Sequence, residues 1–247
     1  MQKKIRFLIV VINISLIIIT FSLNVRGITT EEPIVPIKDL NQVKKIIYLT
    51  FDDGPCDTVT NRILDILKEN DVNATFFVIG NQIDGLEDVV KRIHNEGHSI
   101  GLHTYTHKFK RIYSNKDVFI KEMIQSRDKV NDVVGISPNI IRFPGGSRGH
   151  LTKTYLDKLH SYNFRIYDWN METVDGLNPK ASPYKLYREA TKHSEELSNI
   201  ILLLHCDYMH KNTYKALPEI IKYYKDKDYE FKLITEDTLE FYFPLTK

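Results

Sequence analysis

Short apolar segments alternate with amphipathic ones along most of this chain, and that alternation restricts the fold more than any other feature. Seven short runs are rich in the apolar, β-branched and aromatic side chains of buried strands. Between them, apolar residues recur at the three- and four-residue spacing of helices that cover a sheet. The predicted strands are 46–51, 74–79, 99–102, 140–142, 164–167, 200–205 and 230–233.

Such regular alternation predicts an α/β fold with a parallel sheet covered by helices. The number of strands favours a distorted (β/α) barrel of about seven strands, one unit fewer than the common eight-stranded form. An open, doubly wound sheet is the competing architecture, since it has the same alternation. The first predicted helix begins near Val59, and the others cover 84–96, 117–134, 152–160, 184–197 and 213–226.

The N-terminus has the pattern of an export segment. Lys3, Lys4 and Arg6 precede a largely apolar run at 7–25. A cleaved signal peptide and an uncleaved membrane anchor fit equally well, and a buried core helix is the less favoured alternative. Either export segment would place the rest of the chain at the extracellular face of the cell membrane or in the cell wall. The predicted organisation is 1–27 signal peptide or membrane anchor, 28–42 linker and 43–247 one folded domain.

The charge balance argues against nucleic acid as a partner. Lysine and arginine total 34 against 32 for aspartate and glutamate, and the net charge is +2. The 42% of hydrophobic residues suffices for a real core, which excludes a disordered chain. Acidic and basic residues are interspersed on the helices, as on ordinary solvated faces. We therefore expect an exported monomer with no nucleic-acid-binding surface.

Polar residues that fit neither core nor solvent follow two of the predicted strands. Asp52 and Asp53 end the first strand, where adjacent side chains point in different directions. One carboxylate could hold a metal ion while the other acts as a base, although a simple turn cap is the alternative. His103 and His107 follow the third strand at a spacing that can place both imidazoles beside one ion.

Three further strands end in groups of the same kind. Arg142 ends the fourth strand, where its guanidinium could fork onto a carboxylate, and Asp168 ends the fifth, with Asp175 in the loop that follows. His205 ends the sixth strand; a lone histidine there is more often structural. The C-terminal rim is where barrels carry their chemistry, so the joint placement of these residues favours an active site.

Five motifs in this order resemble the polysaccharide deacetylase family, the NodB homology domain of carbohydrate esterase family 4. The resemblance covers residues 43–247 and implies a hydrolase that removes N-acetyl groups from an extracellular polysaccharide. Peptidoglycan is the expected substrate, at N-acetylglucosamine or N-acetylmuramic acid. A chitooligosaccharide deacetylase, an acetyl-xylan esterase and a non-catalytic glycan-binding protein are the alternatives. The motifs are TFDDGP at 50–55, HTYTH at 103–107, RFPGG at 142–146, the segment 168–175 and LLH at 203–205.

The resemblance also implies one divalent metal ion, usually zinc, with cobalt, nickel or manganese as alternatives. Three protein ligands leave room for a water and the acetamide oxygen, and the ion makes that water more acidic. A general base then takes the water's proton, and an acid protonates the departing sugar nitrogen. Carried onto this sequence, the metal ligands are Asp53, His103 and His107, the base is Asp52 with Arg142 beside it, and the acid is His205 with Asp175.

The substrate-binding residues depart from the family pattern. Gly145 and Gly176 stand where the family usually has aromatic groove walls. The resemblance implies that the backbone N–H of Gly145 binds the oxyanion and that Leu203 forms a wall of the acetyl pocket. Trp169 and Tyr105 are the candidates for the missing sugar-stacking surface, although a core position suits Trp169 equally well.

The two cysteines lie just beyond the ends of the first and sixth predicted strands. Cys56 follows the first motif, and Cys206 takes the place after the last motif's histidine, where the family commonly has an acidic residue. This paired placement, on the extracellular side, predicts a disulfide beside the active site. Two free buried thiols are the alternative.

Overall fold

The computed structural model describes residues 44–246. The predicted signal peptide or anchor at 1–27 and the linker at 28–42 lie outside these described residues. Within the described range, no helix has both the length and the apolar character that are needed to span a bilayer. Strands and helices alternate along this range, as the sequence predicts.

Among the described residues, a single parallel sheet of eight strands forms the centre of the fold. Seven of the strands overlap the seven predicted from the sequence. The additional one, Met171–Glu172, is two residues long, too short to give a recognisable sequence pattern. The strands are Lys45–Gly54 (β1), Thr75–Val78 (β2), Ser99–Leu102 (β3), Ile140–Ile141 (β4), Arg165–Ile166 (β5), Met171–Glu172 (β6), Asn199–His205 (β7) and Tyr229–Phe231 (β8).

The order of the strands is that of a barrel with one gap. Neighbours across the sheet run β5-β4-β3-β2-β1-β7-β6, and β8 pairs with the start of β1. The chain therefore moves outward from β1 to β5 and returns on the other side of β1, as strands do around a barrel. Among the described residues no pairing joins β5 to β6. The prediction of a distorted barrel is confirmed, and the doubly wound alternative is wrong.

Within residues 44–246, seven α-helices lie between the strands. The longest, Lys116–Val134, is capped at its start by the Asn115 side chain, which accepts a hydrogen bond from Asp117 N, and it ends at Gly135 in the left-handed conformation. The four-residue helix at 109–112 has no counterpart among the predicted elements. The helices are Val59–Glu69 (α1), Glu87–Asn95 (α2), Phe109–Ile112 (α3), Lys116–Val134 (α4), Lys153–Ser161 (α5), Pro183–Thr191 (α6) and Lys211–Asp226 (α7).

The alternation of side chains along β1 separates the core from the interior of the barrel. Phe51 belongs to the large core between the strands and the helices, whereas Tyr48 packs with Phe77 in a smaller inner cluster. Because side chains two residues apart share a face, Thr50 and Asp52 point to the same inner side as Tyr48. Both are buried. The strand thus carries a polar group into the interior at its carboxyl end.

Strand β1 has hydrogen-bonded neighbours along both edges. Strand β7 pairs with it from Ile46 opposite Asn199 to Asp52 opposite His205. The other edge is shared by β8 at the start and β2 at the end. This register places two of the predicted catalytic residues side by side at the carboxyl-terminal rim of the barrel.

Candidate active site

Two adjacent carboxylates at the end of β1 face the same cavity. Regular alternation would send the side chain of Asp53 away from that of Asp52. Instead, the pairing with β2 shifts register between Asp52 and Gly54, and Asp53 takes a left-handed backbone conformation with φ of 68°. This irregularity turns the second carboxylate toward the cavity, so both line it.

Asp53 meets the two motif histidines at this rim. Its Oδ1 lies 3.4 Å from Nε2 of His103 and 3.2 Å from Nε2 of His107. Nδ1 of His103 lies 3.0 Å from the carbonyl oxygen of Arg142. A carbonyl only accepts, so Nδ1 carries the proton and Nε2 presents its lone pair to Asp53. One carboxylate oxygen and two imidazole nitrogens therefore converge on one point.

The chemistry of this triad fits a divalent cation. Oδ1 of Asp53 is buried without a hydrogen-bond donor, an arrangement that a cation would satisfy. Burial alone would raise the pKa of Asp53, but the positive charge that the surrounding histidines can carry, that of His103 above all, outweighs burial and holds that pKa below its ordinary value. Burial, with His103 nearby, lowers the pKa of His107 and favours its neutral form. An ionised carboxylate with neutral imidazoles is the state that binds a metal.

Arg142 holds the other carboxylate from inside the barrel. Its side chain is fully buried, and its Nη1 donates to Oδ1 of Asp52 at 2.9 Å and to the Thr50 hydroxyl at 2.7 Å. Nε donates to the carbonyl of Tyr167, and Nη2 donates to that of Asp168. The guanidinium therefore does not fork onto the carboxylate as its position suggested. It binds Asp52 once, and its contacts as a whole join the ends of β1, β4 and β5.

Asp168, the remaining strand-end carboxylate, has a structural position. It is buried and accepts hydrogen bonds from the backbone N–H groups of Ser147 and Phe243, at 3.0 and 2.7 Å. It does not line the cavity that contains Asp52 and Asp53. Its side chain ties the loop after β4 to the carboxyl-terminal segment.

His205, which is half-buried, and the buried Asp175 form a hydrogen-bonded pair in the same cavity. Nδ1 of His205 lies 2.8 Å from Oδ1 of Asp175, whose Oδ2 accepts from the His205 backbone N–H and from the Thr213 hydroxyl. Burial by itself would lower the pKa of His205, but the hydrogen bond and charge of Asp175 overcome this and raise it to about 9. The imidazole is therefore charged at neutral pH.

Most of the predicted substrate-binding residues line the same cavity of about 510 Å³, and one does not. Gly145, Leu203 and Trp169 are on its walls, and the indole Nε1 of Trp169 donates to Glu172. Tyr105 points elsewhere, because its ring packs against Gly80. Tyr105 is therefore not part of this cavity wall, and its role in sugar stacking stays a prediction.

Three lining residues carry no signal in the sequence. Phe109, Glu172 and Leu177 border the cavity beside the catalytic groups, and all three are exposed. Phe109 packs edge-on against the His107 ring, with centroids 5.4 Å apart. Only the position of Phe109, two residues after His107, could have indicated that it lines the cavity.

The two glycines at unusual motif positions are explained by close contacts. Gly145 has φ of 74°, and a Cβ there would lie 3.2 Å from the ring of Phe109. The Phe109 ring thus borders the space that a side chain at 145 would use. A Cβ at Gly176 would lie 2.5 Å from Cε1 of His205. A side chain at 176 therefore requires the imidazole to move.

The predicted disulfide is absent, and both cysteines are free. The Cys206 thiol is fully buried and donates to the carbonyl of Asp52 at 3.3 Å. The Cys56 sulfur instead lies 3.6 Å from the Thr58 hydroxyl, in a half-buried position. The two cysteines follow adjacent strands, but their sulfur atoms have different partners.

A second group of possible metal ligands consists of Asp175, His205 and His210, whose potential ligand atoms lie within 4.8 Å of one another. Four donors already occupy the two oxygens of Asp175: two groups of His205, the Gly176 N–H and the Thr213 hydroxyl. A carboxylate has about four lone-pair positions. Asp175 therefore has none left for an ion, and we assign this group to hydrogen bonding.

Comparison with known proteins gives one consistent family. The family model described as polysaccharide deacetylase matches residues 39–167. A peptidoglycan-N-acetylglucosamine deacetylase of Bacillus cereus is 31% identical over 225 residues, which cover 87% of this chain and 81% of that protein. A chitin deacetylase of Colletotrichum lindemuthianum is 32% identical over 206 residues, covering 77% of this chain and 78% of that protein.

A solved structure is similar in fold as well as in sequence. The crystal structure of the polysaccharide deacetylase Bc1974 from Bacillus cereus superimposes with a TM-score of 0.73 at 32% identity. The match covers 82% of this chain and 96% of that one. The likeness therefore extends well beyond the residues that the family model matches.

Proposed function

Because this chain belongs to the polysaccharide deacetylase family and is a deacetylase, we propose that it removes acetyl groups from N-acetylglucosamine in peptidoglycan. One observation carries the proposal. The Asp53, His103 and His107 triad lies in one cavity with a carboxylate held by Arg142 and a charged imidazole held by Asp175. A metal ligand set, a base and an acid in one cavity are the requirements of amide hydrolysis.

Asp53, His103 and His107 would hold the metal ion, and we propose zinc. The support is the donor set, one carboxylate oxygen and two imidazole nitrogens, a combination typical of catalytic zinc sites. When bound, such an ion polarises the acetamide carbonyl and lowers the pKa of the attacking water.

Asp52 would accept the proton of the attacking water. Its Oδ1 is bound by Arg142, while its Oδ2 lies 3.7 Å from Nε2 of His103, beside the metal ligands. The buried guanidinium is the counter-charge of this carboxylate and binds the oxygen that faces away from the metal ligands. Arg142 thus fixes the position of the base.

His205 would protonate the leaving sugar nitrogen. An amine cannot leave as an anion, so breakdown of the tetrahedral intermediate requires a proton donor. With a pKa of about 9, the imidazole holds its proton at neutral pH, and Asp175 keeps Nδ1 engaged so that Nε2 is the donor. The proposed acid thus has the correct protonation state before substrate binds.

Two further residues would bind the acetyl group of the substrate. Gly145 lines the cavity with its backbone, and we assign its N–H to stabilise the oxyanion. Leu203, on β7 two residues before His205, presents an apolar surface to the acetyl methyl group.

We also propose that the protein acts outside the cytoplasmic membrane, as a monomer. The support is the basic flank and apolar run within residues 1–27, a pattern typical of an export signal or anchor. Peptidoglycan lies on that side of the membrane. Chitooligosaccharides are the second candidate substrate, which the likeness to a chitin deacetylase favours.

Acetate release by the purified full-length protein tests this function. The substrates are N-acetylated peptidoglycan, chitooligosaccharides and acetylated xylan, each with protein as purified, after chelation and after zinc is restored. We expect release from peptidoglycan that stops on chelation and returns with zinc. Faster release from chitooligosaccharides or xylan would change the substrate assignment. No release from any of them, by folded and zinc-loaded protein, would contradict the proposal.

A further inference from the structure

Glu122 is a fully buried carboxylate on α4 that does not line the catalytic cavity. Burying an ionised carboxylate is costly unless its oxygens accept hydrogen bonds. In this position no substrate or metal contact can supply them. The residues that donate to Glu122 therefore indicate its role.

The donors come mainly from the loop that joins the two proposed metal-binding histidines. Oε2 of Glu122 accepts from the backbone N–H groups of Tyr105 and Thr106, at 3.1 and 2.7 Å. The Thr106 hydroxyl lies 3.1 and 2.9 Å from the two carboxylate oxygens. Arg111, which is more exposed, donates through Nε to Oε1 at 2.6 Å. One side chain thus binds two of the three residues between the histidines.

The backbone of this loop is held in a conformation that its residues rarely adopt. Thr104 has φ of 65° and His107 has φ of 53°, both in the left-handed region, where a Cβ atom crowds the backbone. On the other side of the loop, Gly80 N donates to the Thr104 carbonyl and Asn81 N donates to the Tyr105 carbonyl, at 3.0 and 2.9 Å. The loop therefore depends on bonds from outside it, to its carbonyls on one side and to its N–H groups on the other.

We propose that Glu122 is a positioning residue that holds the 103–107 loop so that both imidazoles reach one cation. The inference rests on the metal site of the proposed function. A carboxylate suits this position because its oxygens only accept, and every partner of Glu122 donates. A glutamine would turn an N–H group toward some of those donors. Glu122 therefore sets the affinity for metal without touching the metal or the substrate.

The test is the zinc affinity of the Glu122→Gln variant of the full-length protein. Metal-free protein is titrated with zinc in competition with a fluorescent chelator. We expect the dissociation constant to rise by about 10- to 100-fold, the usual effect of losing a residue that supports metal ligands. The cobalt-loaded variant should also have an altered visible absorption spectrum, because the histidines are no longer held in the same orientation.

Asp128→Asn is the matched control. It removes an exposed carboxylate from the same helix, and it should leave the zinc affinity and the cobalt spectrum unchanged. A Glu122→Gln variant with the affinity and spectrum of the unaltered protein would overturn the inference.

If Glu122→Gln does not fold, Thr106→Ala decides instead. This change removes only the hydroxyl contacts and keeps the backbone hydrogen bonds to the carboxylate. The zinc affinity should then fall several-fold, and an unchanged affinity would overturn the inference.

Failure of this inference can be told apart from failure of the proposed function, because neither the zinc titration nor the cobalt spectrum uses substrate. Unaltered protein that binds zinc but releases no acetate would contradict the function and leave the role of Glu122 to the titration. Unaltered protein that releases acetate, together with a glutamine variant of equal zinc affinity, would contradict the role of Glu122 alone.

Discussion

Asp52 and His205 occupy paired positions at the ends of β1 and β7. A hydrogen bond of 2.9 Å from the backbone N–H of Cys206 to the carbonyl of Asp52 holds that pairing. Neighbouring strands of a sheet lie about 4.8 Å apart, so the main chain sets the separation between the proposed base and acid. Both groups can then act on one acetamide, because the sheet sets their backbone positions.

Substitutions of the two adjacent aspartates should separate metal binding from catalysis. Asp53→Ala should abolish both zinc retention and acetate release, because Asp53 is the carboxylate beside both histidines. Asp52→Asn should retain zinc and lose at least about 100-fold in turnover, the usual scale of general base catalysis. Elemental analysis of the purified variants and acetate release would measure this, and equal metal loss in both would contradict the division of roles.

Removing the proposed acid should affect amides more than activated esters. His205→Ala leaves the amide nitrogen without a proton donor, whereas an activated ester has a leaving group that needs none. We expect a fall of about 100-fold or more on N-acetylated glycan and a much smaller fall on an aryl acetate. Parallel assays on the two substrates would reveal this, and an equal loss on both would argue against His205 as the acid.

The pH dependence of the reaction rate should report the protonation of His205, which Asp175 controls. The acid must be protonated, so its pKa of about 9 should keep the enzyme active until the pH approaches that value. In Asp175→Asn the attracting charge is lost while burial remains, so the pKa of His205 should fall and the alkaline limb should move down by more than one pH unit.

A pH–rate profile measures this limb, with Asp207→Asn as the control because that carboxylate binds His210 instead. An unmoved limb in Asp175→Asn would contradict the assignment. The raised pKa of His205 also contributes to the free energy of unfolding. That contribution is complete below about pH 6.5, the ordinary imidazole pKa, and is lost as pH rises through about 9.

Arg142 should matter for stability as well as for catalysis. Arg142→Met leaves the Asp52 carboxylate buried without its ion pair, which typically lowers the free energy of unfolding by about 3–5 kcal/mol. Arg188→Met, at an exposed position, should change it by less than about 0.5 kcal/mol. Denaturant titration of both variants would measure the difference, and similar midpoints would show that the buried pair contributes little.

Phe109 should contribute to substrate binding. It lines the cavity and is half-exposed, so glycan can cover its ring. Phe109→Ala should raise KM by about fivefold, equivalent to about 1 kcal/mol of lost apolar contact. Phe109→Tyr should keep the KM near that of the unaltered protein. A fall in kcat with an unchanged KM would indicate that the ring supports His107 and not the substrate.

The sequence predicts the barrel and the placement of the polar strand ends well, because both follow from simple periodicity. Asp52 and His205 end long apolar runs, and parallel strands bring their carboxyl ends to one rim. The turn of Asp53 into the cavity was not foreseeable in the same way. It depends on a left-handed conformation at a residue other than glycine, which periodicity does not encode.

The departures from expectation have related physical causes. Tyr105 and Phe109 belong to one irregular loop, and only the folded backbone decides which of the two rings reaches the cavity. Cys56 and Cys206 follow neighbouring strands, but a disulfide also requires the two Cβ atoms to point at each other. Glu122 reads as an ordinary surface residue of a charged helix, and only the contacts of the folded chain reveal it as buried.

The free thiols of Cys56 and Cys206 bear on how this fold depends on redox conditions. With both sulfur atoms unpaired, no disulfide crosslinks the part of the chain that the structure describes. Burial raises the pKa of the Cys206 thiol, which keeps it protonated and slow to react with electrophiles. A reducing solution therefore has no crosslink of the described fold to break.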